Sequence, residues 1–376
     1  MHVSDFFVKN SLMTKLYYYN DNWEFFEKNN KHYFFDVVTT KLLELVIKEK
    51  EEKVALLFLI KQASKPSEKE SLIFELHKNF PKINLDWINT TFNNLFKVGV
   101  LKMALPTPQE FKGRYVLGLE RQLEFLNEVF PEQGKFKMQK KLKDAKITVI
   151  GLGIVGQSVL VPLLASGIGN LTCIDFDTVE ERNIGRQILF RRGDNGKPKT
   201  EVIKRFIAEN YSAVKIKTIN KKLDNVKSIK VAVKGSDIVI QCCDFPRYII
   251  HRLINKACLD LKIPNLLLGS YRAGPFCLPH KTACYGCLET LLRENMPIYD
   301  EIVERIFSQG TRRFPQLIIT SLLTGALGAK EIITFLLGLP TQTVDGCLHF
   351  NPRTLEVTRE PIPRQTNCYA CSPNAK

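Results

Sequence analysis

The chain has 376 residues, 44% apolar and 25% charged, with 54 Lys and Arg against 39 Asp and Glu and a formal net charge of +15. That balance excludes a disordered or collagen-like chain and gives enough length for two domains and a large core. The cations suit anionic partners, but they are scattered, and no zinc-finger helix, RNA-binding aromatic signature or basic tail goes with them, so nucleic acid is not the expected partner.

The first ten residues, MHVSDFFVKN, lack a basic segment followed by a long apolar run. Ten cysteines without an export signal suggest a reducing, cytoplasmic setting in which thiols serve packing or metal binding. Residues 1–105 read as a small domain. An aromatic stretch, KLYYYNDNWEFFEKNNKHYFFD, has turn chemistry at Asn20-Asp21-Asn22 and at Asn29-Asn30, which predicts a β-meander or hairpin. VVTTKLLELVIKEK then places Leu42, Leu43, Val46 and Ile47 at helical spacing. Helical patterns follow near 51–63 and 69–79, and another runs from Asp86 to Lys97 until Gly99 stops it. VLKMAL reads as a closing strand, so the order predicts a winged-helix-like module. LPTPQ is a linker, and residues 106–145 form a linker and basic amphipathic helix.

Residues 146–376 form the second predicted domain. Apolar strand, glycine turn, apolar helix and second strand (Leu171–Ile174) make a βαβ unit, so a Rossmann-like α/β domain with a mostly parallel sheet is expected. DIVIQCCD (237–244) and NLLLGSY (265–271) read as further buried strands. The apolar run 317–339 carries Lys330 and Glu331 near its middle, which assigns it to a buried helix rather than a membrane span.

Gly151, Gly153 and Gly156 give GxGxxG between strand and helix, where glycine lets backbone approach a phosphate at a helix N-terminus. Asp175, at the end of the next strand, is placed to bond ribose hydroxyls. These features alone do not separate NAD from other nucleotides. GDNGKPKT lacks the Walker spacing. Residues 175–200, DFDTVEERNIGRQILFRRGDNGKPKT, do discriminate. A dehydrogenase has no use for Arg186 and Lys199 beyond the ribose acid, whereas a triphosphate needs converging cations.

The run GLGIVG…GIGNLTCIDFDTVEERNIGRQILF…GKPKTEVI resembles the ThiF/MoeB family, the fold of ubiquitin-activating enzymes, over roughly 114–372. D-x-D-x-V, N-x-x-R-Q and G-x-x-K each stand at the family's spacing. The resemblance implies that Asp175 and Asp177 border the nucleotide, that Asn183, Arg186, Gln187 and Lys199 grip the triphosphate, and that Asp244 binds Mg²⁺. It implies a homodimer in which Arg121, in LERQ, reaches the partner's ATP site. The implied reaction is attack of a carboxylate on the α-phosphate of MgATP, giving an acyl adenylate and pyrophosphate.

CYGC (Cys284, Cys287) and CYAC (Cys368, Cys371) are two CxxC pairs with eighty residues between them. Four thiolates make a closed tetrahedral Zn²⁺ site, and the family carries these pairs in the same places. Members that pass the acyl group to a thioester use a further cysteine, and none lies between Leu288 and Gly346. Cys173, Cys242, Cys243, Cys258, Cys277 and Cys347 read as core residues, so capture of the adenylate by nitrogen is expected.

The N-terminal order of elements resembles the PqqD-like module that takes leader peptides of ribosomally made natural products as an added strand. With a ThiF-like domain, it implies a ribosomal precursor peptide as substrate and intramolecular nitrogen capture with loss of water. Alternatives are a peptide adenylyltransferase of the microcin C type, to which CDFPRYIIHRLINKAC stands closer than to MoeB, a sulfur-carrier adenylyltransferase of the MoeB/ThiF type, and a non-catalytic peptide-presenting scaffold.

Overall fold

The computed structural model describes residues 15–37, 40–104, 118–130, 133–246, 248–308 and 317–372. The chain divides into two units, Met1–Thr107 and Pro108–Lys376.

In the first unit, β1 (Leu16–Tyr19) precedes a hairpin of β2 (Trp23–Lys28) and β3 (Lys31–Asp36). Asn29 and Asn30 turn the hairpin with φ of 53° and 62°, the paired positive values of a turn that matches strand twist. The next segment corrects an expectation. It contains a strand, β4 (Leu42–Leu45), antiparallel to β3, and not a helix. Leu43, Leu45 and Ile47 pack on the core, while Leu42 and Val46 are 55% and 86% exposed, so the working period is two.

Three helices follow: α1 (Lys50–Gln62), α2 (Lys69–Asn79) after a short β5 (Ser67–Glu68), and α3 (Leu85–Val98). Asn84 caps α3 by accepting the Asp86 amide, and Gly99 ends it with φ of 88°. β6 (Leu101–Ala104) closes the unit. β1 pairs with β6 and β5 and not with β2, so the aromatic stretch gives the expected hairpin, β2–β3, to one three-stranded sheet and β1 to another. Trp23, Phe34, Leu59, Ile88 and Phe92 fill the core between the sheets and the helices.

The second unit opens with α4 (Glu120–Val129) and α5 (Lys135–Asp144). The nucleotide-fold half comprises β7 (Lys146–Ile150), α6 (Ile154–Ala165), β8 (Asn170–Asp175), α7 (Glu181–Ile184), α8 (Lys199–Asn210) and β9 (Lys215–Asn220). Then come α9 (Val226–Val233), β10 (Ile238–Gln241), α10 (Ile249–Leu261), β11 (Asn265–Leu268) and β12 (Arg272–Cys277). α11 (Tyr285–Asn295), α12 (Tyr299–Ser308), α13 (Ile318–Leu337), β13 (Gly346–Phe350) and β14 (Val357–Pro361) complete it.

One eight-stranded sheet runs β14-β13-β12-β11-β10-β7-β8-β9. Its β11-β10-β7-β8-β9 half is parallel, and β12, β13 and β14 join antiparallel. The chain winds outward from β7 through β8 and β9, then returns to β10 on the other side. That reversal leaves a crevice at the carboxyl ends of β7 and β10, where ligands of open α/β sheets sit.

Helix α13 is long and apolar enough to cross a membrane by length and composition. It instead packs along α6, with Gly325 so close that a Cβ there would lie 2.3 Å from the Ser158 carbonyl carbon. Buried Glu331 on α13 accepts the Gln342 and Thr343 amides at 2.7 and 2.8 Å, which pins the loop leading to β13.

Candidate active site

At the switch point lies a cleft of about 110 Å³, open to solvent. Its floor is the glycine turn between β7 and α6. Gly151 has φ of 96°, and a Cβ on it would lie 2.7 Å from the backbone of Cys242, so β10 passes too near for any side chain. Gly156 is glycine for packing, since a Cβ there would stand 2.0 Å from the Gly151 carbonyl oxygen. A Cβ on Gly153 would meet nothing within 4 Å. That space faces the N-terminus of the twelve-residue α6, whose unpaired amides favour an anion.

Asp175 ends β8 and is 9% exposed. It accepts the Leu152 amide at 2.6 Å and the Asp177 amide at 2.8 Å, so it clamps the glycine turn to the next loop. Burial raises its pKa above the ordinary carboxylate value, against the lowering effect of Lys199 and these two amides. Lys199 begins α8 and is buried, with Nζ 2.8 Å from Asp177 Oδ2. The Lys199 amide also donates to the Asp177 carbonyl at 3.0 Å. Asp244 follows β10 and lines the opposite wall, exposed, as a hard oxygen donor of the type Mg²⁺ takes.

The fold therefore gathers Gly151, Gly153, Asp175, Asp177, Lys199 and Asp244 around one cleft. The other residues expected to hold the nucleotide stand elsewhere in this conformation. Asn183 is buried and accepts the Glu180 amide at 2.9 Å, as the cap of α7. Gln187 is buried beside Gln157, with 3.5 Å between Gln187 Oε1 and Gln157 Nε2. Arg186 and Arg121 are exposed and do not line the cleft.

Other residues join the wall without an advance signal. Lys221, just after β9, adds a cation, and Phe176 and Phe245 face each other from the two loops with ring centroids 6.4 Å apart. Lys222 lies over Phe245 at 5.3 Å. Cys242 and Cys243 pack against the core as expected and, being only partly buried, also line the cleft. Burial still pushes both thiols well up, so neither is poised as a nucleophile. Gln157 sits buried on α6, where it donates to the Leu152 carbonyl at 3.0 Å and accepts the Leu189 amide at 2.9 Å. It links the glycine turn to the segment after α7.

The two CxxC pairs meet although they are far apart in sequence. Cys284, Cys287, Cys368 and Cys371 are buried, with all four Sγ atoms within 4.8 Å of one another. Three of the edges are 4.0, 3.7 and 3.5 Å. Zn–S bonds of about 2.3 Å in a tetrahedron require edges of about 3.8 Å, so the four thiols fit zinc. The Gln365 and Ala370 amides point at Cys287 and Cys368 sulfurs at 3.4 Å each, as thiolate ligands require. Cys173, Cys258, Cys277 and Cys347 are buried, as expected. The Cys347 thiol is pushed up to about 12 by burial.

The ThiF family matches residues 119–370. The molybdopterin-synthase adenylyltransferase of Haemophilus influenzae is 32% identical over 184 residues, which is 48% of this chain and 74% of that protein. Escherichia coli MccB, solved with ATP, superposes over 95% of this chain and all of its own with a TM-score of 0.68 at 22% identity. PaaA superposes over 92% of this chain and all of its own with a TM-score of 0.70 at 18% identity.

Proposed function

Because the chain belongs to the ThiF family, we propose that it uses ATP to adenylate a carboxylate in a ribosomally made precursor peptide. The reading adds that a nitrogen of the same peptide captures the acyl adenylate. The observation that carries it is the extent of the fold likeness. MccB and PaaA superpose over 95% and 92% of the chain, first unit included. MccB has been solved with ATP and with N-formylated MccA, and is described as a microcin C7 biosynthetic enzyme.

The chemistry follows from the cleft. The glycine turn and the α6 N-terminus receive phosphate, and Asp175 borders the ribose. Lys199 exchanges Asp177 for the α-phosphate. Asp244 would hold Mg²⁺, which supplies charge neutralisation on the phosphates. A peptide carboxylate oxygen bonds to the α-phosphorus while the bond to pyrophosphate breaks. A peptide nitrogen then bonds to the acyl carbon, loses its proton, and AMP departs, so the peptide is lighter by one water. The chain contributes position and fixed charge to these steps. A thioester relay has no support, because Cys347 and Cys277 are buried and their thiols are pushed well up. A homodimer with Arg121 crossing to the partner's site completes the reading.

The test is to incubate the protein with MgATP and the product of a short reading frame beside its gene. Pyrophosphate release that depends on the peptide, with a product lighter by water, is the expected result. A product heavier by an adenylyl group points to the microcin C type of reaction. Activity only on a carrier ending in Gly-Gly points to the MoeB type. ADP and phosphate as products overturn adenylation itself, and no turnover of any substrate leaves the scaffold role.

A further inference from the structure

Glu289, on α11, is fully buried, and the chemistry of the cleft does not use it. Its hydrogen bonds join the cysteine centre to α10. Arg252, in the first turn of α10, donates Nε to the two carboxylate oxygens at 3.0 and 2.9 Å and Nη2 to Oε1 at 2.9 Å. The Tyr299 hydroxyl donates to Oε1 at 2.9 Å. The Tyr369 hydroxyl donates to Oε2, and Tyr369 lies between the ligand thiols Cys368 and Cys371.

Further contacts reinforce the link. The His251 ring stands 5.3 Å from Tyr285, which lies between Cys284 and Cys287. Tyr248 meets Tyr299 edge-on at 6.2 Å. Asn255, in the second turn of α10, donates to Cys284 Sγ at 3.5 Å and accepts the Tyr285 amide at 3.3 Å.

The start of α10 borders the nucleotide cleft. Asp244 and Phe245, just before it, and Ile250, in its first turn, line the wall. Between them Tyr248 has φ of 65° and ψ of −50°, a strained conformation for a residue with a side chain, held only where its surroundings fix it. A buried ion pair adds little net stability over well-packed apolar residues, so its value here is geometric.

We propose that Glu289 is a positioning residue for the nucleotide site. Through Arg252 and the two tyrosines it ties the cysteine centre to the first turn of α10 and thereby fixes the Asp244 loop. The proposal rests on the nucleotide reading of the cleft. A network that serves only the local fold would leave nucleotide affinity unchanged once the metal is bound and the fold intact.

The test uses the full chain purified with zinc. Arg252→Lys keeps the charge and loses the bidentate fork. Tyr369→Phe and Tyr299→Phe each remove one hydroxyl and keep the ring. Zinc content, melting temperature and the Kd for ATP are measured with and without Mg²⁺. We expect wild-type zinc content and a Kd with Mg²⁺ raised about three- to tenfold in Arg252→Lys. The tyrosine variants shift it less, and the Kd without Mg²⁺ changes little. A zinc-loaded Arg252→Lys protein with wild-type MgATP affinity overturns the proposal, as does equal weakening with and without Mg²⁺. Should Arg252→Lys fail to fold, the tyrosine variants decide by the same criterion. A wild-type protein that binds no ATP overturns the reading of the cleft instead.

Discussion

Lys199 keeps 8% of its side chain exposed and faces Asp177, so its ammonium is held in place before any triphosphate arrives. Lys199→Ala and Asp244→Ala should each lower peptide-dependent pyrophosphate release by about a hundredfold or more, whereas Cys277→Ser and Cys347→Ser should keep most of it. Retained activity in Lys199→Ala would remove it from the site. Asp194 shapes the loop that leads to α8 and is 2% exposed. Burial alone would raise its pKa, but the Arg205 hydrogen bond, the Arg191 amide and the charges of Arg205 and Lys197 outweigh that and leave it below the ordinary 3.8. A folded pKa below the unfolded one gives stability that is present above about pH 4 and lost as the pH falls further. The gap in melting temperature between wild type and Asp194→Asn should therefore shrink from pH 5 to pH 3, and a constant gap would refute this. Asp175 and Lys199 were legible in the sequence because each ends or begins an element whose pattern is local. Lys221 and Gln157 were not, because what they touch is set by strand order.

At the scale of elements, the CxxC pairs were readable from spacing alone, since four thiols in two such pairs have few other uses. Their meeting place depends on β12, β13 and α11 packing together. Protein purified without chelator should carry about one zinc per chain. Cys368→Ser should lower the melting temperature by about 5–10 °C, with a smaller effect on turnover measured well below the melt. A fully folded, zinc-free sample would contradict the first statement. The β4 segment was misread because Leu42, Leu43, Val46 and Ile47 satisfy helical spacing by coincidence. Pairing with β3 makes Leu43 and Leu45 the inward residues, and one sequence cannot announce that pairing. β1 posed the same difficulty, because its partner β6 lies some eighty residues away.

At the scale of the whole molecule, the first unit has its own core and the cleft lies wholly within the second. Deleting 1–107 should therefore raise the peptide KM by about tenfold or more and leave the kcat of a cis-fused peptide near wild type. An unchanged KM in a folded deletion would assign the unit another role. For the proposed dimer, mixing Arg121→Ala with Lys199→Ala subunits should restore part of the activity, because one composite site per mixed pair is whole. No rescue, or a monomer by light scattering, would refute the crossing arginine. The α/β class was legible from the βαβ run, and the family from motif spacing. The approach of α13 to α6 was not, since it joins segments far apart in the chain.

That approach bears on how the protein can drift over generations. Gly325 lies far from the GxGxxG turn in sequence, yet the helix it touches through Ser158 is the one that presents the turn. Even a methyl group at 325 would push on α6 and tilt its first residues, so position 325 should be as intolerant as 151 in a saturation library. Because the atoms nearest a Cβ at 325 are the carbonyl carbon, Cβ and carbonyl oxygen of Ser158, exchanging the side chain at 158 would make no room, and glycine at 325 should persist whatever residue a lineage carries at 158.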